Sequence, residues 1–268
     1  MFSAPAAYSA VRKGEWNVKI FILRRRLLTV LGCLLIAAVM FWLVNHPDVV
    51  GAAATERQLP IYSVARTEQL AALTFDAAWG NEDTEQLIEI LGEYNVTATF
   101  FVVGDWVEKY PESVQALAEA GHSIQNHSDT HPYLTQCTPE EVIAELEACN
   151  DKIEDITGVR PTLIRCPYGD YNDQVINAIR SIGMEPIQWD VDSLDWKELS
   201  ATEISQRVLE RVEPGSIILF HNAALHTPEA LPEIISSLQG QGYQFCTVSE
   251  LLLEGEYTID HAGRQQPA

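Results

Sequence analysis

Positive charge is what this 268-residue chain has least of: 17 lysines and arginines stand against 38 aspartates and glutamates, a net charge of −21. Six of those cations (Arg12, Lys13, Lys19, Arg24, Arg25 and Arg26) lie in the first 26 residues beside one acid, Glu15, so the rest of the chain carries −26. A domain that acidic repels polyanions, which excludes nucleic acid as a partner and favours a mostly neutral one. Five cysteines without a C-x-x-C spacing give no disulfide framework and no thiolate metal cage. No internal repeat or low-complexity tract interrupts the chain, which excludes a solenoid.

One long apolar run is present. Leu27 to Val44 holds 18 residues without a charge, near the lower length limit for spanning a bilayer. The basic residues before it put residues 1–26 in the cytoplasm and the remainder outside. The sequence reading is a single-pass membrane anchor at 27–44 with its working domain extracytoplasmic. A cleaved signal peptide, with Ala52-Ala-Ala54 as its small-residue site, is the rival. Residues 45–68 then form a tether, 69–253 one domain and 254–268 a tail.

Within that domain short apolar runs alternate with amphipathic ones. Strands are expected at Leu70 to Ala77, Ala98 to Val103, Ser123 to Asn126, Leu163 to Cys166, Glu185 to Asp190, Ser216 to His221 and Gln244 to Thr247. Helices are expected at Thr84 to Tyr94, Pro111 to Ala120, Pro139 to Thr157, Asn172 to Ile182, Ala201 to Val212 and Pro228 to Gly240. Thr138-Pro-Glu-Glu141 and Ser200-Ala-Thr-Glu203 read as capping boxes. Strand–helix repetition of this kind is an α/β fold, closing as a barrel or remaining an open parallel sheet.

Ionisable groups gather where strands end. His127 and His131, in Ile124-Gln-Asn-His-Ser-Asp-Thr-His131, stand four apart. On a helical turn that spacing points both imidazoles the same way, toward one metal ion. Leu73-Thr-Phe-Asp76, Arg165-Cys-Pro-Tyr-Gly169, Asp190-Val-Asp-Ser-Leu-Asp-Trp196 and Ile217-Ile-Leu-Phe-His221 each place a further polar group at or past a strand end. Cys166 reads as a buried thiol in a small-residue slot. His122 and His226 have no partner motif and read as structural.

Those segments, in that order over roughly Gln69 to Leu253, resemble the polysaccharide deacetylases that carry the NodB homology domain, carbohydrate esterase family 4. Thr-Phe-Asp-Ala-Ala-Trp-Gly80 and Phe-His-Asn222 look most like its sporulation-associated, PdaB-like branch. The resemblance implies the irregular (β/α) barrel of NodB domains and metal-dependent N-deacetylation of cell-wall polysaccharide, with peptidoglycan of the sporulating cell as substrate. It implies Asp76 as general base, Arg165 as the residue that holds it, the backbone N–H of Tyr168 as oxyanion donor, and His221 as general acid with Asp195 as its charge partner. His127 and His131 would hold the divalent ion, zinc or cobalt, and Trp196 and Leu219 would line the pocket for the acetyl methyl. The sequence departs from the family at one ligand: the usual Thr-Phe-Asp-Asp reads Thr-Phe-Asp-Ala77 here. Asn81, Glu82 or Asp83 is left to supply the missing oxygen, or the ion is held weakly. The alternative function is a catalytically weak domain that binds glycan or a wall-assembly partner.

Overall fold

The computed structural model describes residues 24, 26–42 and 57–268, and the chain divides into two compact units, Met1–Arg57 and Gln58–Ala268. In the first unit residues 26–42 are helical, with Leu27, Leu28, Leu35 and Phe41 exposed. Among the described residues no helix is long and apolar enough to cross a membrane, so the anchor expected at 27–44 is not met by them. Its last two residues, Leu43 and Val44, lie outside the described residues, as do 1–23, Arg25 and the first half of the expected tether, 45–56.

The second unit is wider at both ends than the domain expected from the sequence. Its sheet has eleven strands: β1 (Ser63–Val64), β2 (Leu70–Ala77), β3 (Thr99–Val102), β4 (Ser123–Asn126), β5 (Leu163–Ile164), β6 (Glu185–Pro186), β7 (Val191–Asp192), β8 (Ser216–His221), β9 (Gln244–Phe245), β10 (Tyr257–Ile259) and β11 (Arg264–Pro267). The main path runs β10-β11-β1-β8-β2-β3-β4-β5-β6. Strands β8, β2, β3, β4, β5 and β6 pair in parallel along it. Between β6 and β7 the chain crosses to β8, where Val191 and Asp192 pair with Ile218 and Leu219, and a lone bridge joins Ile61 to Ile187. These contacts bend the sheet into an irregular half-barrel.

Helices α1 (Thr84–Glu93), α2 (Gly104–Lys109), α3 (Pro111–Glu119), α4 (Pro139–Thr157), α5 (Asp173–Ser181), α6 (Ala201–Leu209), α7 (Thr227–Gly240) and α8 (Val248–Leu251) connect the strands. Both capping boxes form, at Thr138–Glu141 and Ser200–Glu203, so the start of α4 and of α6 is set by local chemistry. Gly158 ends α4 in the left-handed conformation, the role glycine fills without strain. The expected tail is partly sheet: β10 and β11 form a hairpin, and β11 pairs with β1 inside the expected tether.

Side-chain alternation along β2 positions the site. Ala71, Leu73, Phe75 and Ala77 join the large cluster that packs under the helices, whereas Ala72 packs in the second cluster with Phe101 and Ile217. The two-residue period therefore turns Thr74 and Asp76 toward the inside of the sheet, with Asp76 at its C-terminal rim. Phe75 stacks between Phe100 and Phe220 at centroid distances of 4.8 and 5.6 Å. The position of Asp76 is thus held by buried aromatic packing on its neighbours.

Candidate active site

A cleft of about 480 Å³ opens at the C-terminal rim, lined by Asp76, Trp79, His127, His131, Tyr168, Trp189, Asp192, Trp196, Leu219 and His221. It collects side chains from the ends of β2, β4 and β8 and from the turns after β5 and β7. The C-terminal ends of parallel strands are where such folds place their ligands.

Arg165 is fully buried and lies beneath Asp76. Its Nη1 donates to Asp76 Oδ1 at 2.8 Å and to Thr74 Oγ1 at 2.8 Å, and its Nη2 donates to the Gln188 carbonyl at 3.1 Å. The guanidinium also stacks over Phe101, 4.2 Å from the ring centroid. Burial pushes the Asp76 carboxyl up, but Arg165, then His127 and His221, more than offset it, and the group ends below the usual carboxylate range. Asp76 is therefore ionised at neutral pH, with Oδ1 committed to Arg165 and Oδ2 3.6 Å from His127 Nε2.

His127 and His131 meet for a different reason than helical spacing. They lie in the loop after β4, where Ser128 and His131 take φ of 65° and 60°. Ser128 N–H donates to the Asn126 side chain at 2.7 Å, and His131 N–H donates to Ser128 Oγ at 3.0 Å. Side-chain hydrogen bonds, rather than a helix, fold the segment back. His127 Nδ1 lies 2.7 Å from the Arg165 carbonyl, which accepts from it and leaves Nε2 with the lone pair in the neutral ring. His131 packs edge-on against Tyr168 and Trp79, and its Nε2 lies 3.2 Å from His127 Nε2. Burial lowers the pKa of both rings, that of His131 to about 4.

Two imidazoles at that separation fit two corners of a metal site, but a catalytic zinc takes three protein ligands and an open position. No third His, Cys, Asp or Glu among the described residues completes such a group. Of the loop residues expected to supply it, Asn81 donates to Ser113 Oγ at 3.0 Å and one Asp83 oxygen accepts from the Ala223 N–H at 2.8 Å. Ala77 packs in the helix-facing core. The residues present do not make the three-ligand zinc or cobalt site the sequence resemblance implies.

The second proton-handling pair is intact. Asp195 is buried, and its Oδ1 lies 2.7 Å from His221 Nδ1 while its Oδ2 accepts from His221 N–H and Thr227 Oγ1. Burial lowers the His221 pKa, and the hydrogen bond and charge of Asp195, with Asp76 and Asp192, more than reverse this, so the imidazole ends above its ordinary value. With Nδ1 held by Asp195, Nε2 is the nitrogen left for the cleft. Tyr168 sits in the Pro167–Gly169 turn with φ 60°, stacked on Tyr133 at 4.3 Å. Trp196 and Leu219 also line the cleft. Cys166 is buried and its thiol is pushed up to about 12, which makes it an inert core group.

Sequence reasoning assigned no role to Trp79, Trp189, Asp192, Thr74 or Asn222. Trp79 and Asn222 lay inside quoted motifs, so their position was a usable signal. Thr74 carried one too, since it shares the inward face of β2 with Asp76. Asp192 lay inside the quoted Asp190–Trp196 segment, whereas nothing local marked Trp189.

Two ion pairs, Asp76–Arg165 and Asp195–His221, and two further imidazoles meet around one rim cleft on a half-barrel. The family model described as polysaccharide deacetylase matches residues 63–187. The peptidoglycan-N-acetylmuramic acid deacetylase PdaA of Bacillus subtilis is 32% identical over 196 residues, covering 72% of this chain and 74% of that protein. PdaC of the same organism, also named a peptidoglycan-N-acetylmuramic acid deacetylase, is 38% identical over 70% of this chain, but the chain spans only 40% of its length. A solved structure of a CE4 family pseudoenzyme from Bacillus anthracis matches with a TM-score of 0.70 and 34% identity, covering 73% of this chain and 69% of that one. A mutant of that pseudoenzyme, described as having restored enzymatic activity, matches with the same TM-score. The chain belongs to the polysaccharide deacetylase family, the NodB or CE4 domain.

Proposed function

We propose that this domain removes acetyl groups from N-acetylated cell-wall glycan, with peptidoglycan as the substrate class. The observation that carries this reading is the single cleft shared by the ionised Asp76 and the Asp195-supported His221. In this reading Asp76 takes a proton from a water molecule as that water attacks the acetamide carbonyl. The Tyr168 N–H receives the developing oxyanion, and Leu219 and Trp196 enclose the acetyl methyl. Collapse breaks the C–N bond while His221 delivers its Nε2 proton to the departing amine, leaving acetate and a free amino sugar. Arg165 acts through Asp76: it fixes the carboxylate and keeps it charged. The names of PdaA and PdaC support peptidoglycan as the substrate, and a wall substrate puts the domain outside the cytoplasm. The resemblance to the PdaB-like branch adds the sporulating cell as its setting.

The test is acetate release from purified peptidoglycan and from chitooligosaccharide by the full chain, with Asp76→Asn and His221→Ala alongside. Loss of roughly 10²–10⁴-fold in each variant is expected, and activity that survives both substitutions overturns the assignment.

One observation favours a second reading. Ala77 leaves the imidazole pair without its third ligand, and the chain is similar to a pseudoenzyme. A domain that binds wall glycan without turnover predicts no acetate release by the unmodified chain and glycan retention indifferent to Asp76→Asn.

A further inference from the structure

The guanidinium beneath Asp76 is held by more than the carboxylate it serves. Arg165 is fully buried and stacks over Phe101 at 4.2 Å, which sets the plane of the group but lets it turn within that plane. Its Nε has no hydrogen-bond partner among the described residues. The in-plane angle rests on three contacts: Nη1 to Asp76 Oδ1 and to Thr74 Oγ1, both 2.8 Å, and Nη2 to the Gln188 carbonyl at 3.1 Å. The contacts to Thr74 and Gln188 are independent of the reacting carboxylate. With both present the guanidinium has two fixed points and its angle is set. With one it pivots, and follows Asp76 instead of placing it.

Thr74 is shaped for that contact. It is fully buried two residues before Asp76, and the two-residue period of β2 puts both side chains on the inner face, within reach of the same Nη1. Nη1 carries two hydrogens, so it serves both oxygens without dividing one between them. The Thr74 hydroxyl donates to the Ile218 carbonyl at 2.7 Å. A carbonyl only accepts, so the single hydroxyl hydrogen is committed there. Oγ1 then faces Arg165 as an acceptor, the polarity a guanidinium requires. The branched Cβ restricts χ1 and holds the oxygen in that direction. Ile218 stands three residues before His221 on β8. The hydroxyl thus ties the strand that ends in His221 to the arginine that holds Asp76.

We propose that Thr74 is a positioning residue for the reaction: its hydroxyl fixes the in-plane angle of Arg165 and, through it, the direction in which Asp76 presents its other oxygen to the cleft. The proposal rests on the reading of Asp76 as the base and adds what aims it. A strand residue kept for packing alone accepts valine, which has the shape of threonine, and suffers from serine, which lacks the methyl. A hydroxyl kept for Arg165 reverses that order, because valine leaves a buried donor without its acceptor and serine does not.

The experiment compares the full chain with Thr74→Val and Thr74→Ser by two readouts. One is acetate release from chitooligosaccharide; the other is nitrogen-15 NMR of the Arg165 guanidinium, assigned through its contact with the Phe101 ring. Thr74→Val should lower kcat by about tenfold or more with KM unchanged, because Thr74 lies below the base and outside the cleft lining. Thr74→Ser should recover most of that loss, short of all of it because serine lacks the χ1 restriction. In the unmodified chain and the serine variant the two Nη1 protons should be separately resolved, each held by its own acceptor, and in the valine variant they should average. Valine turnover equal to that of the unmodified chain overturns the proposal, as does serine as poor as valine. Nη1 protons equally resolved with threonine and valine overturn it too. Should valine not fold, serine decides alone: retained turnover and resolved protons support the hydroxyl, and their loss assigns Thr74 to packing. The two readouts also separate this from the reading of the cleft. No acetate release from the unmodified chain sinks the deacetylase reading, and the Nη1 protons then decide whether Thr74 fixes Arg165.

Discussion

The Nε2 atoms of His127 and His131 stand 3.2 Å apart, close to the edge of about 3.3 Å between two ligands of a tetrahedral ion with bonds of 2.0–2.1 Å. The pair has the geometry of a metal site and lacks its third member. The buried methyl of Ala77, the last residue of β2, occupies the sequence position where the family carries a carboxylate.

Ala77→Asp should therefore do two opposite things. In the absence of metal it buries an uncompensated carboxylate in a side of the strand packed with leucine and phenylalanine, costing about 3 kcal/mol or more. With zinc present it supplies the third ligand, so zinc should restore the loss by mass action and bind at least about tenfold more tightly than to the unmodified chain. Thermal denaturation with and without zinc, together with zinc titration, reads both effects. A variant that zinc neither stabilises nor binds more tightly would show that position 77 cannot reach the imidazoles.

The Asp76–Arg165 pair sets a stability test of its own. Arg165 is fully buried, and its charge is balanced by Asp76 alone among the groups it hydrogen-bonds. Asp76→Ala leaves that guanidinium uncompensated and should destabilise the fold by about 3–5 kcal/mol, whereas Asp76→Asn keeps a hydrogen-bond acceptor and should lose less. Urea denaturation orders the two variants, and equal stability would mean the buried charge is compensated by something else.

Much of this site was legible because its residues sit at strand ends. Asp76, Arg165, Asp195 and His221 are placed by the parallel order β8-β2-β3-β4-β5, which brings separate motifs to one rim. The reasons were less legible than the residues. His127 and His131 come together through left-handed backbone at Ser128 and His131 and through Asn126 and Ser128 hydrogen bonds, not through a helical turn. Of the strand read as Glu185 to Asp190 only Glu185–Pro186 is strand, because the chain there leaves β5, and a separate strand just beyond it, Val191–Asp192, pairs with β8. Strand β1 is only two residues long, and β10 and β11 carry little apolar periodicity, so the ends of the domain escaped notice. The capping box at Thr247–Glu250 was equally readable and was missed.

His122 predicts an acid weakness in the fold. Its ring is buried, Nδ1 accepts from the Ala98 N–H at 3.2 Å, and burial pushes its pKa down to about 4 from an ordinary 6.5. The folded state keeps this imidazole neutral while the unfolded chain protonates it below 6.5. Its contribution is complete above pH 6.5 and is lost as the pH falls toward 4, up to about 3 kcal/mol. His122→Gln should flatten the stability curve between those values, and an unchanged slope would rule His122 out as its cause.

His221 has the opposite sign. Its folded pKa lies above 6.5 because the Asp195 hydrogen bond and charge, then Asp76 and Asp192, outweigh the burial that lowers it. The protonated ring's stabilising contribution is therefore complete below pH 6.5 and lost as the pH rises through the folded value. A general acid must hold its proton, so acetate release should fall on the alkaline side as His221 titrates, at a pH above the ordinary 6.5. Asp76, held below 3.8, keeps the base ionised until much lower pH. Asp192→Asn removes one of the smaller raising charges and should move the alkaline limb down slightly. Asp195→Asn removes the largest and should move it further, with a loss of roughly 10²-fold or more at neutral pH. Imidazole NMR titration reads the same shifts whether or not acetate is released. A His221 resonance that titrates identically in the unmodified chain and in Asp195→Asn would mean that this carboxylate does not support the acid.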